Sequence, residues 1–157
     1  MGFWVFIHGL NKLNKLYKFI LKVNKLSNKE DIWKIVNIKR DDYIKFSDQI
    51  FDIPETLYQE FRSVAEHTKI LKKEDFKVTE GICNIPTAVI GEHGDQGPII
   101  AIIGEFDALP RLNQEAGIAE QKPIQNIDNG YRCGHNLLGA VSLLAVTAVK
   151  DWIKKII

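Results

Sequence analysis

The sequence is poor in cysteine. Among its 157 residues only Cys83 and Cys133 are cysteines. Two cysteines do not make the dense disulfide framework of a small secreted scaffold. A protein that keeps its thiols free is typical of a reducing compartment, so we expect a cytoplasmic location.

The sequence also has little net charge and no long uninterrupted apolar run. Its formal net charge is +1 at pH 7, whereas nucleic-acid-binding domains usually carry a strongly basic surface. We therefore expect no nucleic-acid partner. No charge-free apolar stretch reaches the ~18 residues expected of a membrane span. With 45% hydrophobic and 26% charged residues, the composition is that of a globular domain of ordinary size.

Positive charge is concentrated in residues 1–30. This segment holds six lysines and one acid, Glu30, so it carries +5 and the remaining chain carries −4. Residues 10–26 place leucines and other apolar side chains at helical spacing between the lysines. Such a stretch can lie on an anionic membrane surface, but a lysine-solvated helix packed on the domain, or an extension with no role, is the simpler interpretation. We treat residues 1–30 as a basic amphipathic N-terminal extension, with membrane-surface contact through residues 10–26 as the alternative.

From residue 31 the pattern is that of an α/β domain. Two amphipathic helices are predicted around residues 31–50 and 55–76, followed by short strands in "FKVTEGI" and "TAVIGEHG". The run "PIIAIIGEFDALP" is rich in β-branched residues and predicts a strand covered on both faces. After a polar loop at 111–131, "NLLGAVSLLAVTAVKDWIKKII" predicts an apolar helix. Layers of this kind define an α/β fold, and the last helix would be expected to lead into a further strand.

Two groups of residues can carry chemistry. Glu105 and Asp107 follow the apolar strand, and the carboxyl ends of strands are where α/β domains form their sites. Carboxylates there can bind a metal or perform acid–base work, or they can simply cap a turn and contact solvent. Cys133 and His135 are thiolate and imidazole ligands suited to zinc, with Gly134 allowing the backbone to turn between them. Two ligands alone are a weak signal, so a reactive thiol and a thiol packed in a turn stay open.

Four further residues have simpler interpretations. Asn136 is expected to cap the helix that starts near Leu137. His67 is expected on the surface of its helix, and Cys83 is expected to be a small core residue. His93 falls in a glycine-rich turn, where no ligand role is favoured.

Taken together, "NIPTAVIGEHGDQGPIIAIIGEFDALPRLNQEAG" and "GYRCGHNLLGAVSLLAVTAVKDWI" resemble the metal-dependent amidohydrolases and metallopeptidases. This is the family of carboxypeptidase G, the aminoacylases and the plant auxin-conjugate hydrolases, and the resemblance is nearest to its p-aminobenzoyl-glutamate hydrolase branch. It covers roughly residues 31–157, and "GEFDALP" followed by "CGHNLLG" is far more specific than either motif alone.

The resemblance implies an incomplete three-layer α/β/α catalytic domain of a zinc-peptidase-like fold, with a mixed, mostly parallel sheet. It implies that residues 31–157 are the N-terminal half of that domain, and that a dimerisation domain and a C-terminal half are absent. Cys133 and His135 would be metal ligands, and Asp107 would be a catalytic-site carboxylate that orients the site. The metal would be zinc or manganese, with one or two ions in a complete enzyme. Glu105 stands where many relatives have a histidine ligand, so its role stays open.

The same resemblance implies the activity. We expect hydrolysis of an amide bond to an amino acid, in a substrate of the aminobenzoyl-glutamate, N-acyl amino acid or dipeptide type. The full-length family would form homo- or hetero-dimers. The general-base glutamate and the later ligands of the family do not occur in these 157 residues, so we expect no turnover by the isolated chain. The alternative is a non-catalytic remnant or partner subunit of such a hydrolase.

Overall fold

The computed structural model of the protein describes residues 2–8, 28–95 and 99–156. Four strands form one sheet: β1 (Gly2–His8), β2 (Lys77–Glu80), β3 (Val89–His93) and β4 (Ile99–Glu105). Three helices accompany it: α1 (Asn28–Phe51), α2 (Phe61–Lys73) and α3 (His135–Ile156). The α/β class predicted from the sequence is confirmed, while the assignment to a three-layer zinc-peptidase-like fold stays a prediction.

The sheet has the order β2-β3-β1-β4 and is mixed. β1 runs parallel to β3, but it runs antiparallel to β4, and β2 runs antiparallel to β3. The expectation of a mostly parallel sheet is therefore wrong for the described strands. The short 3₁₀ turn Ile82–Asn84 joins β2 to β3, and a connection this short permits only an antiparallel pair.

The N-terminal strand was not predicted. The apolar run at the start of the chain places Val5 and Ile7 in the core, where both are almost fully buried. β1 lies between β3 and β4 and pairs with both, from Phe3 to Ile7 on one side and from Gly2 to His8 on the other. Residues 2–8 are thus part of the domain's sheet. The amphipathic stretch at residues 10–26 lies outside the described residues.

Among the described strands β4 lies at the edge of the sheet, and its exposed side chains correct the expectation that it is covered on both faces. Its isoleucines Ile99, Ile100 and Ile103 are 57%, 46% and 51% exposed. A continuous run of β-branched residues does not show whether its strand lies at the edge or at the centre of a sheet. The run shows only that the side chains are suited to burial, not that they are buried. An apolar edge strand of this kind is a surface on which further polypeptide can pair.

The second helix, α2, begins later than expected, at Phe61. Glu55, upstream of the helix, caps its N-terminus. The carboxylate of Glu55 accepts hydrogen bonds from the backbone N–H groups of Arg62 and Ser63 at 3.1 and 2.8 Å. It also accepts one from the Ser63 hydroxyl at 2.8 Å. A negative charge that satisfies free N–H groups at a helix N-terminus stabilises the helix.

The core forms where α1 and α3 pack together and against the sheet. The two helices run antiparallel, since Asn136 at the start of α3 contacts Ser47 near the end of α1. At the other end, Ile35 of α1 packs with Trp152 of α3. Between these points the buried hydroxyls of Tyr43 and Thr147 share a hydrogen bond of 2.9 Å.

α3 is apolar enough to be compared with a membrane span. It has 22 residues and a mean hydropathy of 1.3 over its most apolar window, and more than half of that window is buried within the domain. Core helices of folded proteins have the same length and composition, and the packing of α3 on α1, β1 and β4 is of that kind.

Candidate metal and catalytic site

The candidate site lies at the end of β4. Glu105 is the last residue of the strand, Phe106 is fully buried, and Asp107 follows. The chain is fixed just after this point, because the N–H of Ala108 donates to the carbonyl of Glu55 at 2.7 Å. Two carboxylates therefore leave a fixed strand end, as predicted from their spacing.

The turn before α3 carries Cys133 and His135 to this strand end. Gly134 has a φ of +80°, a conformation that glycine adopts without steric cost. Its N–H donates to the carbonyl of Tyr131 at 2.9 Å. The Tyr131 hydroxyl in turn donates to the carbonyl of Phe106 at 3.0 Å, so the turn is fastened directly to the chain between the two carboxylates.

The imidazole of His135 lies between the two carboxylates. Its Nδ1 is 3.0 Å from Oδ1 of Asp107, and its Nε2 is 3.2 Å from Oε2 of Glu105. When Nδ1 carries the proton and donates a hydrogen bond to Asp107, the lone pair of Nε2 is available to a metal. The sequence predicted these three residues as candidates, and the structure brings all three into contact.

Asp107 is the more enclosed carboxylate, with 15% of its side chain exposed against 50% for Glu105. Partial burial by itself raises the pKa of Asp107. Hydrogen bonds, including the one with His135, outweigh burial and hold the pKa of Asp107 below its usual value. Asp107 is thus suited to remain an anion that orients the imidazole.

Cys133 reaches the same region from the solvent side. It is a free, exposed cysteine, and its Sγ lies 3.8 Å from the carbonyl oxygen of Asp107. The thiol is close enough to the strand end to join a site there, and exposed enough to react with reagents in solution.

Asn136 does not act as the helix cap that the sequence suggested, because α3 already begins at His135. Its side-chain amide instead donates to the hydroxyl and the carbonyl of Ser47, at 3.2 and 3.4 Å. These bonds are buried and tie the first turn of α3 to α1. Asn136 therefore fixes the position of the helix that carries His135.

His67 was expected on the surface of its helix, and this was wrong, since it is fully buried. Its ring stacks on Phe106 at 4.3 Å and meets Phe46 edge-on at 4.8 Å. Its Nδ1 is 2.7 Å from the carbonyl of Ser63. Burial lowers the pKa of His67 to about 4, so the ring is neutral at pH 7.

His67 is the residue beneath the site that sequence reasoning missed. A Cβ placed on Gly139, in the second turn of α3, would lie only 2.6 Å from its Nε2 and 3.1 Å from the carbonyl oxygen of Glu105. His67 thus fills the space between the end of β4 and the start of α3. In the sequence, His67 falls outside the apolar stripe of its predicted helix, on the side expected to face solvent. Nothing local in the sequence distinguishes a buried imidazole from an exposed one.

Cys83 was expected in the core, but it is exposed. It lies in the 3₁₀ turn between β2 and β3, with a positive φ of 55°. His93 ends β3, where its Nδ1 is 3.0 Å from the carbonyl of Asp75, and it takes no part in the candidate site.

The donor set around His135 fits a divalent metal in part. Imidazole and carboxylate are ligands for zinc, with bonds of about 2.0–2.2 Å, and two donors that face each other at 3.2 Å can bind the same ion. Structural zinc sites use four protein ligands and catalytic zinc sites use three. Within residues 2–8, 28–95 and 99–156, no group of three or more His, Cys, Asp or Glu side chains is arranged to hold an ion. These residues can therefore supply some of the ligands of a metal site.

A cavity adjoins this turn. The loop between β4 and α3 encloses about 700 Å³, and the lining includes Arg111, Gln114, Tyr131 and Arg132. Tyr131 and Arg132 belong to the turn that leads to Cys133, so the cavity borders this turn, although the candidate ligands themselves do not line it. Its volume is in the range of small-molecule sites.

Comparison with known proteins supports the resemblance that the motifs suggested. The chain is 41% identical over 120 residues to a subunit of p-aminobenzoyl-glutamate hydrolase from Escherichia coli (strain K12). The match covers 76% of this chain and 25% of that protein, so the chain spans about a quarter of the length of the curated relative it matches. No family model matches the chain.

Proposed function

Because the chain belongs to the family of this p-aminobenzoyl-glutamate hydrolase subunit, we propose that it contributes part of the site of a metal-dependent hydrolase of amide bonds to amino acids. The substrate class is the aminobenzoyl-glutamate, N-acyl amino acid or dipeptide type. The observation that carries the proposal is the contact of His135 with Asp107 on one ring nitrogen and with Glu105 on the other.

Each residue of the site has a distinct role in this proposal. Asp107 accepts a hydrogen bond from the protonated Nδ1 of His135 and fixes the orientation of the ring, which leaves Nε2 directed toward the ion. His135 and Cys133 are ligands, and Glu105, 3.2 Å from Nε2, is placed to be a ligand or to position one. When bound, a zinc or manganese ion would activate water and polarise the amide carbonyl. The cavity beside Arg132 is the place where the substrate would bind.

We propose that the 157-residue polypeptide by itself does not turn over substrate. The described residues offer fewer than three donors in a common arrangement, and a catalytic zinc needs three protein ligands and an open position. The remaining donors and the general base would come from polypeptide corresponding to the rest of the relative's length. The relative is named as a subunit of its hydrolase, which favours a partner-dependent subunit as the alternative.

A fusion tests the proposal. The whole 157-residue chain replaces the matched stretch of the E. coli relative, and hydrolysis of p-aminobenzoyl-glutamate is measured after removal and return of zinc or manganese. We expect metal-dependent hydrolysis that His135→Ala reduces by at least about 10-fold, since loss of even the partner that orients a ligand costs about 10- to 100-fold.

The matched control is His93→Ala, because His93 contacts the carbonyl of Asp75 and is separate from the site. That variant should retain the activity of the unmodified fusion. A folded fusion that lacks activity with every metal, or one in which His135→Ala changes nothing, contradicts the proposal.

A further inference from the structure

A shallow apolar groove runs between α1 and α3, starting two residues after His135. It has a volume of about 330 Å³ and is formed on one side by Arg40, Tyr43, Ile44 and Ser47. The facing side comes from α3, and its lining residues are Leu137, Leu138, Ala140, Val141 and Leu144. Buried side chains of both helices form its floor, and large apolar side chains form its walls.

The walls of this groove are exposed. Leu137 is 63%, Val141 58% and Ile44 46% exposed to solvent. Leu137 and Val141 are four residues apart, so they stand in one row on the helix. The opposite side of α3, which includes Leu143 and Val146, is fully buried in the core. α3 is therefore apolar on both sides, and a helix of that kind is normally buried on both sides.

We propose that this groove receives an amphipathic helix from the part of a full-length hydrolase that lies outside the matched stretch. This inference rests on the proposed function, because the proposed function identifies the protein that would supply the helix. Three quarters of the relative's length lies outside the match, which is ample polypeptide for a further helical layer. A groove between two helices, walled by side chains at i and i+4, is the form into which a third helix packs.

Charge at the rim specifies the partner further. Arg40 lines the groove, and among the described residues no ion pair involves its guanidinium. The docked helix should therefore place Asp or Glu opposite Arg40 and leucine-like residues opposite Val141. Because Leu137 follows His135 by two residues, such a helix would lie beside the candidate metal site and join the two parts of the protein there.

The experiment compares one substitution in two contexts. Val141→Lys is introduced into the isolated 157-residue chain and into the fusion with the E. coli relative described above. In the isolated chain Val141 is largely exposed, so the melting temperature should change by no more than about 2 °C. In the fusion a lysine would be buried against the docked helix, and we expect the melting temperature to fall by about 5 °C or more.

The control is Ile38→Lys on α1. Ile38 is 81% exposed and its neighbours on the helix surface, Lys34 and Asp42, are charged. This variant should behave alike in both contexts. An equal melting temperature for Val141→Lys and the unmodified fusion overturns the proposal. This outcome is distinct from failure of the proposed function, in which a folded fusion is inactive whatever residue stands at position 141.

Measurements on the isolated chain cover the case in which the fusion does not fold. An open groove should bind the fluorescent probe bis-ANS, and Val141→Lys should weaken that binding severalfold. If the probe does not bind, or binds equally to both forms, the groove is closed or irrelevant and the proposal fails.

Two other occupants would also overturn it. Sedimentation equilibrium that shows a dimer, converted to monomer by Val141→Lys, would assign the groove to a second copy of the chain. Co-sedimentation with phosphatidylcholine vesicles that Val141→Lys abolishes would assign it to a lipid surface.

Discussion

Replacing Gly139 by alanine should destabilise the domain, although alanine favours a helix by about 1 kcal/mol over glycine. The added Cβ would lie 2.6 Å from Nε2 of His67, 3.4 Å from Cε1 of the same ring and 3.1 Å from the carbonyl oxygen of Glu105. The distances of 2.6 and 3.1 Å are shorter than ordinary contacts with a methyl group. Either the imidazole or the first turns of α3 must move.

Neither group can move freely. The His67 ring is enclosed between Phe106 and Phe46, and its Nδ1 is bonded to the carbonyl of Ser63. α3 is held at its start by the buried bonds of Asn136. Overpacking of a well-filled core costs about 1–3 kcal/mol. Because the contact with Nε2 is only 2.6 Å, we take the upper part of that range, about 2–3 kcal/mol. After subtraction of the helix preference of about 1 kcal/mol, the expected net loss is about 1–2 kcal/mol, or roughly 2–8 °C in melting temperature for a domain of this size.

The assay is urea and thermal unfolding of the isolated chain with and without Gly139→Ala, followed by circular dichroism. Val141→Ala, on the exposed side of the same helix, serves as the control and should alter stability by no more than about 0.5 kcal/mol. A double-mutant cycle with His67→Ala isolates the contact with the ring, because only the 3.1 Å approach to the carbonyl oxygen of Glu105 then remains. In that background alanine at 139 should cost at least about 1 kcal/mol less than in the unmodified chain. If Gly139→Ala is as stable as the unmodified chain, the close contact does not govern this position and the reasoning is wrong.

Three further predictions concern stability. The pKa of His67 is about 4 in the folded chain and 6.5 as its ordinary value. The unfolded chain therefore binds a proton first as the pH falls, and about 2 kcal/mol of stability should disappear between pH 7 and pH 5. Urea unfolding at both pH values should show this loss for the unmodified chain and a clearly smaller one for His67→Gln. Glu55→Ala removes the bonds to the first N–H groups of α2, and chemical unfolding should report a loss of about 1 kcal/mol, whereas an unchanged midpoint would contradict a capping role. Tyr43→Phe removes the buried hydrogen bond to Thr147 and should cost about 1 kcal/mol; equal unfolding midpoints for the two proteins would show that this bond contributes nothing net.

The elements that the sequence predicted well are those governed by local pattern. The strands β2, β3 and β4 and the three helices all lie within the stretches whose periodicity indicated them, apart from small shifts at their ends. Glu105, Asp107 and His135 could be chosen as site residues because a strand end and a helix start are recognisable locally. Their contact at 3.0 and 3.2 Å depends on how β4 and α3 pack, which spacing alone does not give.

The misjudged positions share a different property. β1 finds its partners some 80 to 100 residues along the chain, so no window of sequence around it could show the pairing. His67, Cys83 and Asn136 have ordinary local patterns, and their burial, exposure or bonding depends on distant segments. The exposed isoleucines of β4 belong here too, because exposure at an edge depends on which strands are its neighbours.

The sequence by itself determined the family, the chemical types of the candidate site residues and the order of most helices and strands. These properties are local, because side-chain chemistry, backbone preference and hydrophobic period are read within a few turns of chain. Only the tertiary structure decided that His135 lies between two carboxylates, that a buried neutral imidazole supports the site and that α3 keeps an apolar side open. Those properties depend on contacts between segments far apart in sequence, and such contacts exist only once the chain has packed into a core.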